Sequence, residues 1–183
     1  MTDPEPCSVE EHLARVLAGV RPLTPVAQPL LETLGLACAD DVRAPMALPS
    51  FDNSAMDGYA VREADVAGAS TEQPVVLPVA GEIGAGQSGL RELAPGSAAK
   101  IMTGAPIPAG ADAVVPYEWT DRGVDKVRID QAPKPGQHVR SAGDDVSEGD
   151  LLIESGTVLT PRHLGLLASV GHATVLTLSL IHI

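Results

Sequence analysis

The sequence is poor in aromatic residues and carries no excess of basic ones. Four of its 183 residues are aromatic, and 12 lysines and arginines against 24 acidic residues leave a formal net charge of −12. Proteins that bind nucleic acids use clustered cations for the phosphates and aromatic rings for the bases. The composition therefore predicts that the chain has no nucleic-acid partner.

Cysteines and long apolar runs are also scarce. Cys7 and Cys38 are too few for a disulfide framework or a four-ligand zinc site. No run approaches the roughly 20 apolar residues that a membrane-spanning helix needs, and the first residues are acidic where a signal peptide is basic. We therefore expect a cytoplasmic protein that does not enter a membrane.

Glycine and proline are abundant, with 18 and 16 residues, and they punctuate a series of short β-type runs. Strands are predicted over residues 75–79, 98–102, 113–115, 126–129 and 173–183, with a hairpin over 151–159. Helical patterns lie towards the two ends of the chain. They predict helices over residues 9–19, behind a capping box of Ser8 and Glu11, over 29–34, and from Thr160 to Gly171.

This distribution predicts an α+β fold of two β-rich domains. Helices at both ends of the chain suggest that residues 1–45 and 147–183 form one discontinuous, elongated domain. The proline-punctuated segment over residues 43–50 marks a boundary, and residues 46–146 form an inserted β-rich domain.

Three polar segments stand out from this plain background. The first covers residues 51–60, where Asp52, Asn53, Ser54 and Asp57 lie close together before a strand. One interpretation is a ligand-binding loop. The other is a polar turn in which Asp52 and Asn53 bond to their own backbone.

The second segment follows the strand predicted over residues 98–102. Thr103 and Gly104 come directly after it, and two prolines then stiffen the loop. A rigid loop that holds a hydroxyl at a strand end suits an anion or the polar edge of a ligand. A stiff hairpin in which Thr103 caps the strand is the alternative.

The third segment is acidic and covers residues 139–146. Asp144 and Asp145 follow a glycine, so they either repel each other on a solvated turn or share a cation such as Mg²⁺. Arg140 can pair with one of these carboxylates or with a ligand phosphate.

Together the segments resemble the molybdopterin molybdenumtransferase family, the molybdenum insertases of the MoeA and gephyrin E-domain type. The matching strings are Pro-Ser-Phe-Asp-Asn-Ser-Ala-Met-Asp-Gly-Tyr-Ala at residues 49–60, Ile-Met-Thr-Gly-Ala-Pro-Ile-Pro-Ala-Gly-Ala-Asp-Ala-Val-Val at 101–115 and Arg-Ser-Ala-Gly-Asp-Asp at 140–145. The resemblance runs in the same order from Ser8 to about Val175. It implies a transferase that inserts molybdenum from molybdate into adenylylated molybdopterin, releasing AMP, with the help of Mg²⁺.

The resemblance also implies roles for individual residues. Those matched to functional positions of the family are Asp57, Thr103 and Asp145. Those matched to its cofactor-binding loops are Asn53, Ser54, Gly104 and Arg140. The implied metal ligands are Asp144 and Asp145, and Asp144 stands where the family usually has glutamate. We expect the side chains of Asp57, Thr103 and Asp145 to line exposed loops with few hydrogen bonds to their own domain.

The resemblance covers only the N-terminal part of the family's longer chain. The α/β domain that binds much of the pterin and a small β-barrel are absent, and the sequence ends abruptly in apolar residues. We therefore expect no turnover from this chain alone. The alternative is a non-catalytic dimerisation or scaffold module related to the gephyrin E domain.

Family members are homodimers, and the resemblance extends the expected partners to small-molecule substrates and other proteins of molybdenum cofactor biosynthesis. The apolar face of the first helix and a bare strand over residues 175–183 also predict self-association.

Overall fold

The structure, a computed structural model, describes residues 7–21, 23–86 and 92–178. The chain divides into two compact units, Met1–Arg43 with Leu151–Ile183 and Ala44–Asp150. Short strands dominate both units and helices are few, so the predicted β-rich α+β fold is confirmed. In chain order the described elements are α1 (Val9–Ala18), β1 (Val26–Pro29), a 3₁₀ helix (Leu30–Thr33), β2 (Ala37–Cys38), β3 (Val42–Arg43), β4 (Asn53–Ser54), β5 (Gly58–Val61), α2 (Glu63–Val66), β6 (Val75–Ile83), β7 (Ala98–Ile101), β8 (Ala113–Pro116), a second 3₁₀ helix (Tyr117–Trp119), β9 (Lys126–Ile129), β10 (Val139–Arg140), β11 (Leu151–Ile153), α3 (Pro161–Ser169) and β12 (Thr174–Leu178).

The first helix begins where the sequence predicts. The Ser8 N–H donates to Glu11 Oε2 at 2.9 Å, and Ser8 Oγ accepts the Glu11 N–H at 3.1 Å, which completes the capping box. Within the described part of the chain no residue of α1 is buried, so its apolar face is exposed. Among the described residues no helix is long and apolar enough to cross a bilayer.

The first unit is built on a three-stranded antiparallel sheet in the order β1-β12-β2. Its core consists of buried side chains from the sheet, α3 and the neighbouring loops: Leu30, Cys38, Ile153, Leu159, Leu167 and Val175. The central strand β12 is paired on both sides. The prediction of a bare strand is therefore wrong for residues 175–178, and residues 179–183 lie outside the described residues.

Two further predictions in this unit need correction. Residues 151–159 are not a hairpin, because β11 pairs with β3 while Val158 bridges to Ala37. The two arms of the predicted hairpin thus have different partners, which a local turn signal cannot reveal. The helix predicted over residues 29–34 is shorter and tighter, a 3₁₀ turn that follows Pro29 at the end of β1.

The second unit contains a five-stranded sheet in the order β8-β5-β7-β6-β9. Strand β5 is antiparallel to both β7 and β8, and all four of its residues are buried. Tyr59 and Val61 belong to one apolar cluster, whereas Ala60 belongs to another, as the two-residue period of a strand requires. Strand β6 extends past the predicted residues 75–79, because its first half pairs with β9 and its second half with β7.

Candidate functional site

The first two polar segments meet at one end of the five-stranded sheet. Asp57 directly precedes β5, and Thr103 follows β7 after one intervening residue. Gly58 is paired with Ile101, so the two segments lie at the same end of adjacent antiparallel strands. Asp57 Oδ1 accepts hydrogen bonds from both the backbone N–H and the hydroxyl of Thr103, each at 2.7 Å. The fold thus joins two residues that are 46 positions apart.

The glycine after Asp57 is required by the close approach of a neighbouring strand. A Cβ atom placed on Gly58 would lie 2.0 Å from the carbonyl oxygen of Val115 in β8. Backbone cannot move out of the way as a flexible side chain can. The Asp-Gly pair is therefore fixed by packing in the sheet, and Asp57 takes its position from β5.

The Asp57 carboxylate is exposed yet firmly bonded. The Thr103 N–H, and secondarily its hydroxyl, hold the pKa of Asp57 below its usual value. Both bonds use Oδ1, and within the described residues no group donates to Oδ2. The Asp57 side chain is thus exposed, as expected, and its two hydrogen bonds leave Oδ2 without a donor among the described residues. What remains available is one oxygen of an ionised carboxylate, an acceptor suited to a hydrogen-bond donor or a cation.

The third polar segment carries an ion pair. Arg140 donates to Asp145 Oδ2 at 2.8 Å, and the two side chains are 49% and 60% exposed. Asp144 Oδ2 accepts the N–H of Ser141 at 2.8 Å, which closes the turn that follows β10. Each carboxylate therefore has one protein partner and remains open to solvent.

These two carboxylates do not complete a metal cage with other protein ligands. In the described ranges there is no cluster of three or more histidine, cysteine, aspartate or glutamate side chains able to hold a metal ion. Mg²⁺ often binds through one or two carboxylates and takes its other ligands from substrate phosphates and water. The donor chemistry of Asp144 and Asp145 fits that second arrangement.

Asn53 and Ser54 form β4, which lies between the other two segments. On one side Val139 and Arg140 pair with it, and on the other the Gly104 N–H donates to the Ser54 carbonyl at 2.8 Å. Gly104 has a φ of 79°, which favours glycine. The side chains of Asn53 and Ser54 are buried and donate to local carbonyls, those of Phe51 and Met56. They shape the loop here, and the ligand-binding role assigned to them stays a prediction.

Asp52 is hydrogen-bonded to residues more distant in the sequence than the sequence pattern suggests. Its backbone carbonyl accepts the Ile107 N–H at 3.0 Å, and its Oδ1 accepts the Ala142 N–H at 2.8 Å. The interpretation that Asp52 bonds to its own backbone is therefore wrong. No local pattern could have identified a partner 90 positions away, because that contact depends on the tertiary fold.

The site thus consists of a hydrogen-bonded pair, Asp57–Thr103, and an ion pair, Arg140–Asp145, on either side of β4. In the part of the chain that the structure describes, no hydrogen bond joins the Asp57–Thr103 pair directly to the Arg140–Asp145 pair. One pair offers a fixed negative oxygen, and the other offers a guanidinium beside two carboxylates. Such a site can bind a ligand that carries both donor groups and anionic oxygens.

Comparison with known proteins agrees with this reading of the three segments. The model of the family described as the MoeA N-terminal region (domain I and II) matches residues 7–171. The chain belongs to this family.

Named relatives and a solved structure point the same way. The chain is 49% identical over 166 residues to Molybdopterin molybdenumtransferase 2 of Mycobacterium tuberculosis, covering 91% of this chain and 41% of that protein. It is 46% identical over 147 residues to Molybdopterin molybdenumtransferase of Haemophilus influenzae, covering 80% and 35%. The crystal structure of the molybdopterin biosynthesis MoeA protein from Pyrococcus horikoshii OT3 superposes with a TM-score of 0.84 at 33% identity, covering 92% and 45%. The chain therefore spans about two fifths of the length of the Mycobacterium tuberculosis relatives that it matches.

Proposed function

We propose that this chain supplies the N-terminal part of a molybdopterin molybdenumtransferase in molybdenum cofactor biosynthesis. The reaction inserts molybdenum from molybdate into adenylylated molybdopterin, and cleavage of the phosphoanhydride bond releases AMP. The names of the relatives support this proposal, as does membership of their family. The cytoplasmic location stays a prediction.

The observation that carries the proposal is the contact between Asp57 and Thr103. It joins the two segments of the family resemblance in one bonded pair, with an ionised oxygen left for a ligand. We propose that this oxygen binds a donor group of the substrate. The Arg140 guanidinium of the third segment, held by Asp145, is suited to an anionic oxygen of phosphate or molybdate.

We further propose that Asp144 and Asp145 hold Mg²⁺ together with phosphate oxygens of the substrate. Bound there, the ion would offset the negative charge that develops on the phosphates. The protein's share of this work is to present two adjacent carboxylates on a turn that is closed by the Ser141 N–H.

We propose that this chain forms a homodimer. The apolar residues of α1 remain exposed, including Leu13, Val16 and Leu17 at 55%, 53% and 58%. Such a face supports association with another surface, and it also favours the alternative of a dimerisation or scaffold module. Light scattering of the purified chain at high micromolar concentration tests this point. Self-association is the expected result, and a clean monomer would count against it.

The activity is tested in a chimera, because this chain spans less than half of its relatives. The chain replaces the matched segment of the Mycobacterium tuberculosis Molybdopterin molybdenumtransferase 2. Adenylylated molybdopterin, molybdate and Mg²⁺ are supplied, and AMP is measured. We expect AMP release from the chimera and none from the 183-residue chain alone. A folded but inactive chimera would contradict the proposed function, and turnover by the chain alone would show that its residues complete the site.

A further inference from the structure

We propose that Asp52 is a positioning residue that fixes the Arg140–Asp145 turn relative to the Asp57–Thr103 pair. The inference rests on the proposed function. It starts from one observation: Asp52 belongs to the first polar segment and is hydrogen-bonded to both of the others. Its carbonyl holds the second segment through the Ile107 N–H, and its carboxylate holds the third through the Ala142 N–H.

The turn that carries the charged residues is anchored unevenly. Its second half is tied by backbone bonds, from the Gly143 N–H to the Pro49 carbonyl at 3.0 Å and from the Asp145 N–H to the Leu48 carbonyl at 2.9 Å. In its first half, Arg140 is paired with Asn53 of β4, and the Asp52 carboxylate holds Ala142. Among the described residues, Asp52 is the one side chain from outside residues 140–146 that is hydrogen-bonded to this turn. Within the described part of the chain, removing that carboxylate therefore leaves Ser141 and Ala142 without a hydrogen bond to a residue outside the turn.

The position of this bond gives it consequences for binding. Ala142 lies two residues after Arg140 and two before Asp144, so a shift at Ala142 moves charged groups on both sides of it. Misplacing reacting groups by about 1 Å can cost on the order of 100-fold in rate. The proposed function assigns no direct role to the Asp52 carboxylate. Its effect is transmitted through the turn.

The experiment compares Asp52→Ala with Asp52→Asn. The asparagine keeps an oxygen that can accept the Ala142 N–H, so it should rescue what the alanine loses. Asp41→Ala is the matched control. The Asp41 carboxylate also accepts a distant backbone N–H, that of Ser155 at 2.9 Å, but it belongs to the first unit and to none of the three segments. Both alanine variants thus lose one hydrogen bond between a carboxylate and a backbone N–H that is distant in the sequence.

Two readouts are needed. In the 183-residue chain, hydrogen exchange reports the Ala142 amide, and we expect it to accelerate about tenfold in Asp52→Ala, less than about threefold in Asp52→Asn, and not in Asp41→Ala. In the chimera, we expect kcat for AMP release to fall at least about tenfold in Asp52→Ala, with near wild-type kcat in Asp52→Asn and Asp41→Ala.

The outcomes separate the two proposals. If the wild-type chimera releases no AMP, the proposed function fails. If it is active and the Ala142 exchange is unchanged in Asp52→Ala, the bond does not hold the turn and the inference is overturned. Faster exchange with a kcat equal to that of Asp41→Ala overturns it equally, because the bond would then be structural alone.

Discussion

The Asp57–Thr103 pair and the Arg140–Asp145 pair, which flank β4, are built in different ways. Asp57 is held by a backbone N–H and a hydroxyl at the ends of paired strands, and Gly58 beside it is locked by the sheet. Asp145 is held by one exposed guanidinium on a turn. The first pair is therefore fixed before any ligand arrives, whereas the second can change partners when a ligand or cation competes for it. A fixed acceptor beside an adaptable ion pair suits a site that must bind and release a charged product.

The largest effect on stability should come from substituting Gly58, which directly follows Asp57. In Gly58→Ala the new methyl group meets the Val115 carbonyl, which is backbone of β8, the strand paired with β5. We expect the free energy of unfolding to fall by about 3 kcal/mol or more, as in overpacked cores. Chemical denaturation measures it. Gly165→Ala in α3 is the control, because a Cβ there meets nothing within 4 Å, and a neutral or slightly stabilising effect is expected. Equal effects at the two positions would refute the packing argument.

The next effect is on activity rather than stability. Asp57→Asn keeps an oxygen for the Thr103 donors and removes the charge. We expect AMP release by the chimera to fall by about 100-fold, while the free energy of unfolding falls by only about 1 kcal/mol, because neutral hydrogen bonds replace charge-assisted ones. Asp150→Asn is a suitable control, since Asp150 also accepts a backbone N–H, that of Ser147 at 2.8 Å. Wild-type activity in Asp57→Asn would show that the charge of Asp57 has no part in the reaction.

A smaller loss of activity should follow when the Asp57–Thr103 pair loses one of its two hydrogen bonds. Thr103→Val removes the hydroxyl but leaves the N–H that also bonds to Asp57 Oδ1. We expect a drop in AMP release of about tenfold, of the size of one charge-assisted hydrogen bond, and recovery in Thr103→Ser. The serine variant serves as the internal control. If serine and valine behave alike, the hydroxyl is not what orients Asp57.

The smallest effect on stability should come from the Arg140–Asp145 pair. Arg140→Ala breaks an ion pair whose partners are both about half exposed. We expect the free energy of unfolding to change by no more than about 0.5 kcal/mol, measured by denaturant titration at low and high salt. AMP release by the chimera should nevertheless fall, because the guanidinium is lost. A large, salt-independent loss of stability would mean that the pair is part of the fold.

Local signals predicted the elements that depend on local physics. The capping box of Ser8 and Glu11 marks the start of α1, and the strand over residues 126–129 has the predicted limits. Local patterns could not predict which strands pair. The two arms of the segment over residues 151–159 pair with β3 and with Ala37, which lie far away in the sequence. For the site, motifs picked out Asp57 and Thr103 separately. Their hydrogen bond, like that from Ala142 to Asp52, exists only once the strands are paired.

The central claim is that Thr103 holds Asp57 as an ionised, oriented acceptor. Because the pKa is lowered in the folded chain, the stability that Asp57 contributes is present above the carboxyl group's ordinary pKa. It is lost as the pH falls through the lowered value.

The most direct test is a ¹³C NMR titration of the Asp57 carboxyl in the 183-residue chain and in Thr103→Val. The account predicts a pKa below the ordinary aspartate value in the wild type. In the valine variant the pKa should rise but stay below that value, because the N–H, the larger cause, remains. An ordinary or raised pKa in the wild type, or no change in the variant, would contradict it.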